Sequence, residues 1–283
     1  GNQVTSCQVV PIHSPHLVDL EGTLLAIIVD LNVDSWILRE RSNADRPVVF
    51  EEFLEAFFAF INSFIIQNHH NQLVVSCYGN GRPEVLFPRI QDDILDNLKT
   101  HSQQLPAVRK FLLSRIKKLM SSVNPNPPST LDACLSRTMC FLNRYGDANM
   151  RKRILIFNVT ENPIRSFMNS MNDVFFFRTH CPIDICQLYD KHNPFLKKIS
   201  ELTKGTYVRS QSSKSLYGLF SYYFLPEVSV RKSMLIPEEK VEHMKVMCSC
   251  HGEPIKNDVA YVCTVCLAIL CAPCSKCPIH SMH

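Results

Sequence analysis

The sequence predicts a three-layer α/β domain followed by a small cysteine-rich module. Apolar runs of strand length alternate with segments of helical periodicity from Thr23 to Phe224, the pattern of crossover units whose helices cover both faces of a sheet. Seven of the 13 cysteines fall between Cys248 and Cys277, beyond a linker that begins after Pro226 and contains Pro237. At 283 residues and 46% hydrophobic content, the chain is long and apolar enough for a large core. The predicted division is an α/β domain over 20–226, a linker over 227–247 and a metal-binding module over 248–283.

Taken in order, TLLAIIVDL (Thr23 to Leu31) is a continuous apolar run, as expected of a strand buried on both faces. The residues LNVDSW after it read as a loop. Phe50, Phe53, Leu54, Phe57, Phe58, Ile61, Phe64 and Ile65 follow helical spacing, with Glu51, Glu52 and Glu55 at the positive end of the dipole. NQLVVSCYG is a strand, GNGRP a hairpin turn and EVLFP a short antiparallel strand. Residues 90–106 are weakly patterned, and Phe111 to Met120 reads as a helix. Pro125, Pro127 and Pro128 forbid its continuation. Ser129 with Asp132 suggests a capping-box start for a helix buried along Leu131, Cys134, Leu135, Thr138, Leu142 and Tyr145. RILIFNV, PIDICQL and TYVRS are strands. Pro163 to Phe177, PFLKKISELT (stopped by Gly205) and KSLYGLFSYYF are helices.

Composition excludes several classes. The net charge is only +4 and the basic residues form small separated groups, so direct nucleic-acid contact is expected to be weak or absent. The most apolar stretch, Phe53 to Ile66, contains Glu55 and Asn62 and is too short and polar to span a bilayer. The opening residues GNQVTSCQVV lack the basic-then-apolar pattern of a secretory signal. With an odd cysteine count clustered near one end, a reducing compartment and a metal site are expected rather than a disulfide framework.

No catalytic constellation emerges. The 8 glycines form neither G-x-G-x-x-G nor a phosphate loop, and G-x-S-x-G is absent. His69/His70 and Asp92/Asp93 lie in polar segments that read as solvated. The chain is expected not to be an enzyme.

Two constellations suggest metal chemistry. Asp30, Asn32 and Asp34 place oxygen side chains at alternate positions after the first strand, where they could reach one hard cation. Toward the other end, CSCHGEPIKNDVAYVCTVCLAILCAPCSKCPIH contains Cys248, Cys250, Cys263, Cys266, Cys271, Cys274, Cys277 and His280, with His251 as a further candidate. Thiolate pairs two residues apart suit tetrahedral Zn²⁺. One structural zinc ion is expected, and the ligands suffice for a second. Their partition is open, and the short Cys274 to Cys277 spacing strains an interleaved arrangement.

The Asp30-Leu31-Asn32-Val33-Asp34 loop resembles the metal-ion-dependent adhesion site of von Willebrand factor A domains, whose first motif is D-x-S-x-S. Asn32 and Asp34 replace both serines, and the site is read as degenerate and empty. An eroded A-like domain followed by C-x-C-H and AYVCTVCLAILC resembles the smaller A-like, zinc-bearing core subunit of general transcription factor IIH (TFIIH), also called transcription factor B subunit four. LLAIIVDLN, RILIFNV, FMNSMNDVFF and SLYGLFSYYFLP extend the similarity along most of the chain, as in a divergent member. The resemblance implies a von Willebrand factor A-like fold and a nuclear, non-catalytic scaffold in RNA polymerase II initiation and nucleotide excision repair. Its implied partners are the larger A-like zinc-bearing subunit and other core subunits, helicases included. Two other functions fit parts of the chain: metal-dependent adhesion-type ligand binding through Asp30, and RING-like ubiquitin ligation through the cysteine cluster.

Overall fold

The computed structural model describes residues 22–42, 46–88, 105–121, 130–146, 149–161, 163, 174, 181–189, 193–210, 212, 214–235, 248, 250, 255, 259–263, 269–273 and 277. The strands are β1 (Thr23–Asp30), β2 (Gln72–Tyr78), β3 (Glu84–Phe87), β4 (Arg151–Asn158), β5 (Ile183–Gln187) and β6 (Tyr207–Arg209). The helices are α1 (Val33–Glu40), α2 (Phe50–Gln67), α3 (Leu105–Ser121), α4 (Leu131–Tyr145), α5 (Pro194–Leu202), α6 (Leu216–Phe224) and α7 (Val228–Arg231). A separate two-stranded ribbon pairs β7 (Tyr261–Val262) with β8 (Ile269–Leu270) in antiparallel register.

The six strands form one sheet in the order β3-β2-β1-β4-β5-β6. β1 lies between β2 and β4, parallel to both, and β3 alone runs antiparallel as the far arm of a hairpin. Alternation along β1 divides the core. Leu25, Ile27 and Val29 face a layer built from α2, α3 and α6, whereas Leu24, Ala26 and Ile28 face α4 and α5. Both faces are therefore dry, which is why the strand reads as an unbroken apolar run.

The first layer is rich in phenylalanine. Phe53 of α2 meets Phe157 of β4 edge-on at 5.3 Å, and Phe157 meets Phe220 of α6 at 4.8 Å. Such pairs add about 0.5–1.5 kcal/mol each beyond the burial of the rings themselves.

Four local predictions are corrected. The residues read as the loop LNVDSW begin α1: the Asn32 side chain accepts the Ser35 N–H at 3.0 Å and caps the helix, while Trp36 and Arg39 turn inward one helical turn apart. α3 starts at Leu105 rather than Phe111, because Val108, Leu112 and Ile116 continue one apolar stripe. α4 is preceded by Thr130, whose side chain makes no capping bond; Ser129 lies outside the described residues. Tyr145 is half-buried rather than core, and Met139 and Phe141 complete the stripe.

α5 ends without glycine in the left-handed position. Lys204 adopts φ 60°, and the amides of Lys204 and Gly205 close back on the carbonyls of Glu201 and Ser200 at 3.2 and 2.8 Å, a Schellman-type end. Gly205 is needed for a different reason: a Cβ there would lie 2.0 Å from the Ile183 carbonyl oxygen. Of the helix predicted over Pro163 to Phe177, only Pro163 and Val174 are among the described residues, and residues 90–104 lie outside them.

Candidate functional site

The strand order reverses between β1 and β4, so the carboxyl ends of these two strands flank the place where open α/β sheets bind ligands. Asp30 ends β1 and Asn158 ends β4. Asp30 is 1% exposed, and its oxygens are occupied by donors of the protein itself. Oδ1 accepts the Asn32 N–H at 3.0 Å. Oδ2 accepts the Val159 and Thr160 N–H groups at 3.1 and 2.8 Å and faces the Tyr78 hydroxyl at 3.2 Å.

The same Tyr78 hydroxyl meets Asn158 Oδ1, so one proton faces two acceptors. Asn158 Nδ2 donates to Gln187 Oε1 at 2.8 Å and to the Thr160 carbonyl at 2.7 Å. Four strands thus contribute to one buried polar chain, Asp30–Tyr78–Asn158–Gln187. Burial pushes the Asp30 carboxyl above its ordinary range, against the opposing pull of donors from Thr160, Asn32 and Val159. Burial, followed by the adjacent Asp30 charge, raises the Tyr78 hydroxyl as well.

Gly79 follows at φ +97°, and a Cβ there would meet the Asn32 nitrogen at 2.5 Å and Asp30 Oδ1 at 2.8 Å. The turn after β2 therefore packs onto the Asp30 loop through a missing side chain.

The three oxygen-bearing residues predicted for this loop have separate roles in the structure. Asp30 holds the β4 end and Asn32 caps α1, while Asp34 is exposed in the first turn of that helix. A carboxylate surrounded by N–H and O–H donors is matched to them rather than to a cation.

A second buried cluster lies nearer the opposite ends of the strands. Asp184 of β5 accepts from Arg231 Nη1 and Nη2 at 2.6 and 3.0 Å, from Arg153 Nη2 at 3.0 Å and from the Thr206 N–H at 2.9 Å. Both guanidinium groups also donate to the Phe224 carbonyl. Burial alone would raise Asp184, but Arg153 and Arg231 outweigh it and hold the carboxyl below its usual range. Arg231 belongs to the segment read from sequence as linker, so the chain remains anchored to the sheet beyond Pro226.

Cys77, Cys134, Cys181 and Cys186 are buried and behave as small apolar side chains, whereas Cys140 is exposed. Burial pushes the thiols of Cys134 and Cys181 up to about 12, and those of Cys77 and Cys186 higher still.

In the cysteine-rich module, Cys263 directly follows β7 and Cys271 directly follows β8. Burial opposes the Cys248 thiolate, yet backbone and side-chain hydrogen bonds from Cys250 and Cys271 prevail and bring it down to about 7. Cys248, Cys250 and Cys271 are thereby neighbours. Cys266, Cys274, His251 and His280 lie outside the described residues. Among the described residues, no group of three or more His, Cys, Asp or Glu side chains has the arrangement of a complete metal site.

Tyr78, Asn158, Gln187 and the Asp184 cluster were not singled out from sequence. The available signal was polar residues inside otherwise apolar strands, as in RILIFNV and PIDICQL, since buried polar groups require partners.

The family model "Transcription factor Tfb4" matches residues 22–279. A Schizosaccharomyces pombe relative, "General transcription and DNA repair factor IIH subunit tfb4", is 27% identical over 267 residues, covering 90% of this chain and 87% of its own. A Dictyostelium discoideum relative, "General transcription factor IIH subunit 3", is 29% identical over 248 residues, covering 81% of this chain and 66% of its own. Among solved structures, the TFIIH p34 N-terminal domain superposes with a TM-score of 0.58 at 22% identity, covering 73% of this chain and 98% of that domain. The SpRpn10 VWA domain superposes at 0.51 and 16% identity, covering 72% and 96%. The α/β domain therefore has a von Willebrand factor A-like fold.

Proposed function

The chain belongs to the transcription factor Tfb4 family, and from that membership we propose that it is a non-catalytic structural subunit of the TFIIH core. In this reading it acts in the nucleus, in RNA polymerase II initiation and nucleotide excision repair. It would do so by binding the larger A-like, zinc-bearing subunit and, through the assembly, the helicase subunits. The observation that carries the reading is the family match over residues 22–279. The self-satisfied Asp30 loop supports it, because a carboxylate engaged by Asn32, Val159, Thr160 and Tyr78 favours a rigid surface over metal-mediated ligand capture.

We further propose that the cysteine-rich module binds structural zinc. The nearness of Cys248 to Cys250 and Cys271 supports one ion held by these three, with Cys274, two residues beyond Cys271 in C-x-x-C spacing, as the fourth ligand. Cys263, Cys266, Cys277 and His280 are then the ligands for a second. When bound, the metal supplies folding free energy to a segment with little core of its own.

The test is affinity purification of the tagged chain from its native nuclear extract, with mass spectrometry of the proteins retained. Recovery of the larger A-like subunit and the helicases is the expected result. Recovery of the chain without them overturns the assembly role.

A further inference from the structure

We propose that the outer face of α3, with the turn between β2 and β3, is a phosphodiester-binding surface that contacts the backbone of a nucleic-acid duplex. The inference rests on surface chemistry and is independent of the proposed assembly role. Read along the sequence, these basic groups looked small and separated; the fold brings them together.

α3 contains Arg109, Lys110, Arg115, Lys117 and Lys118 and no acidic residue. Val108, Leu112 and Ile116 turn inward, so Arg109, Lys110, Lys117 and Lys118 lie on the exposed side with Ser114 and Ser121. Both serine hydroxyls donate to their own helix, to the Phe111 and Lys118 carbonyls. Arg109/Lys110 and Lys117/Lys118 are two basic pairs about two turns apart, some 12 Å along the axis.

The neighbouring elements add charge at the same edge. The Asn80 side chain donates to the Leu119 carbonyl, which ties the β2–β3 turn to the end of α3. Arg137 of α4 donates to the Pro83 carbonyl at 3.1 Å, which ties the turn to α4. Arg82, exposed between these two ties, therefore joins the α3 cations and Arg137. Glu84 of β3 is committed to Arg115 of α3.

The fold gives the other cations little to do. Arg109 lies over the Phe58 ring at 5.4 Å, and Lys110, Lys117, Lys118 and Arg82 have no partner among the described residues. A helix carrying uncompensated charge of one sign repels itself, and a polyanion removes that cost.

The partner's chemistry follows from what the surface lacks. The exposed large apolar side chains among the described residues are on other elements: Ile37, Leu38, Ile66, Tyr217, Tyr222, Val230, Leu235 and the β7 strand with Val259. A protein partner would require an apolar anchor at the centre of its contact. Clustered Arg and Lys side chains without such an anchor are the donors found on phosphate backbones.

The experiment uses the full chain, so that Asp92, Asp93 and Asp96 ahead of α3 are present as competing charge. A fluorescein-labelled 20-base-pair duplex is titrated by anisotropy at several salt concentrations against the parent and the triple variant Lys110→Ala/Lys117→Ala/Lys118→Ala. A control triple variant, Lys198→Ala/Lys214→Ala/Lys232→Ala, removes equal charge from other surfaces. All six substituted positions are exposed, and matching unfolding midpoints confirm that both variants fold. The α3 variant is expected to bind about 10-fold or more weakly at low salt, with a log–log salt slope shallower by about 2.7. The control should bind as the parent does. Absence of duplex binding by the parent, equal binding by the α3 variant, or equal loss in both variants overturns the proposal. Displacement of the duplex by poly-glutamate more readily than by unlabelled duplex, at matched charge, overturns it in favour of an acidic peptide.

Discussion

Asp184 and Arg231 are 47 residues apart in the chain yet meet as a buried bidentate ion pair, at 2.6 and 3.0 Å. The pair closes α7 onto the amino-terminal part of β5 and shares Asp184 with Arg153. Arg231→Ala leaves a buried carboxylate short of a partner and is expected to cost about 3–5 kcal/mol. Arg231→Lys should recover little of it, because an ammonium cannot reproduce the fork that also reaches the Phe224 and Pro226 carbonyls. Urea unfolding of the full chain measures both.

Acid should weaken the same cluster. Asp184 is held below the usual carboxylate range, so its contribution is fully present above about pH 4 and is lost as pH falls through the lower folded value. Asp184→Asn removes that titration. The variant's deficit against the parent should be largest at neutral pH and narrow in acid; a deficit independent of pH would contradict the ion pair.

Gly79→Ala tests the fit between the β2 turn and the Asp30 loop. The residue would carry a side chain at φ +97° and drive a Cβ to 2.5 Å from a backbone nitrogen. A loss of about 1–3 kcal/mol is expected. Gly146, where the backbone angle is ordinary, is a useful comparison because only crowding operates there.

Asp30→Ala should destabilise the domain by about 1–3 kcal/mol, since the Val159 and Thr160 amides lose their acceptor. Because the parent carboxylate is occupied by these donors, millimolar Mg²⁺ should leave the unfolding midpoint of the parent unchanged. A Mg²⁺-dependent rise abolished in Asp30→Ala would restore the adhesion-type reading.

Zinc content per chain, measured by elemental analysis, should fall in Cys271→Ser. Limited proteolysis should then accelerate beyond residue 235, while the unfolding of the A-like domain stays as in the parent. Unchanged zinc content would remove Cys271 from the ligand set.

The alternation of β1, β4 and β5 with their helices was readable because strands buried on both faces appear as unbroken apolar runs, and α2 because its phenylalanines recur at helical spacing. α1 was missed for a chemical reason. Asn32, Asp34 and Ser35 are good cation ligands and also good helix-starting residues, and sequence alone does not separate the two uses. Asp30 stands out in the sequence as the polar end of an apolar run, but its partners Val159 and Thr160 contribute backbone N–H groups, which leave no mark on residue identity. Arg231 read as linker because the residue that requires it, Asp184, is distant in sequence and adjacent only through the β5 register.

The way β1 divides its side chains between two layers has a consequence for how the domain comes apart. Neither helical layer can detach without wetting one side of a strand whose other side is still packed, and that strand also holds both β2 and β4 by hydrogen bonds. Opening one face therefore strains the other, and the amides of Leu24 to Val29 should exchange with solvent only when the whole domain unfolds. Exchange rates across β1 are then a gauge of global stability.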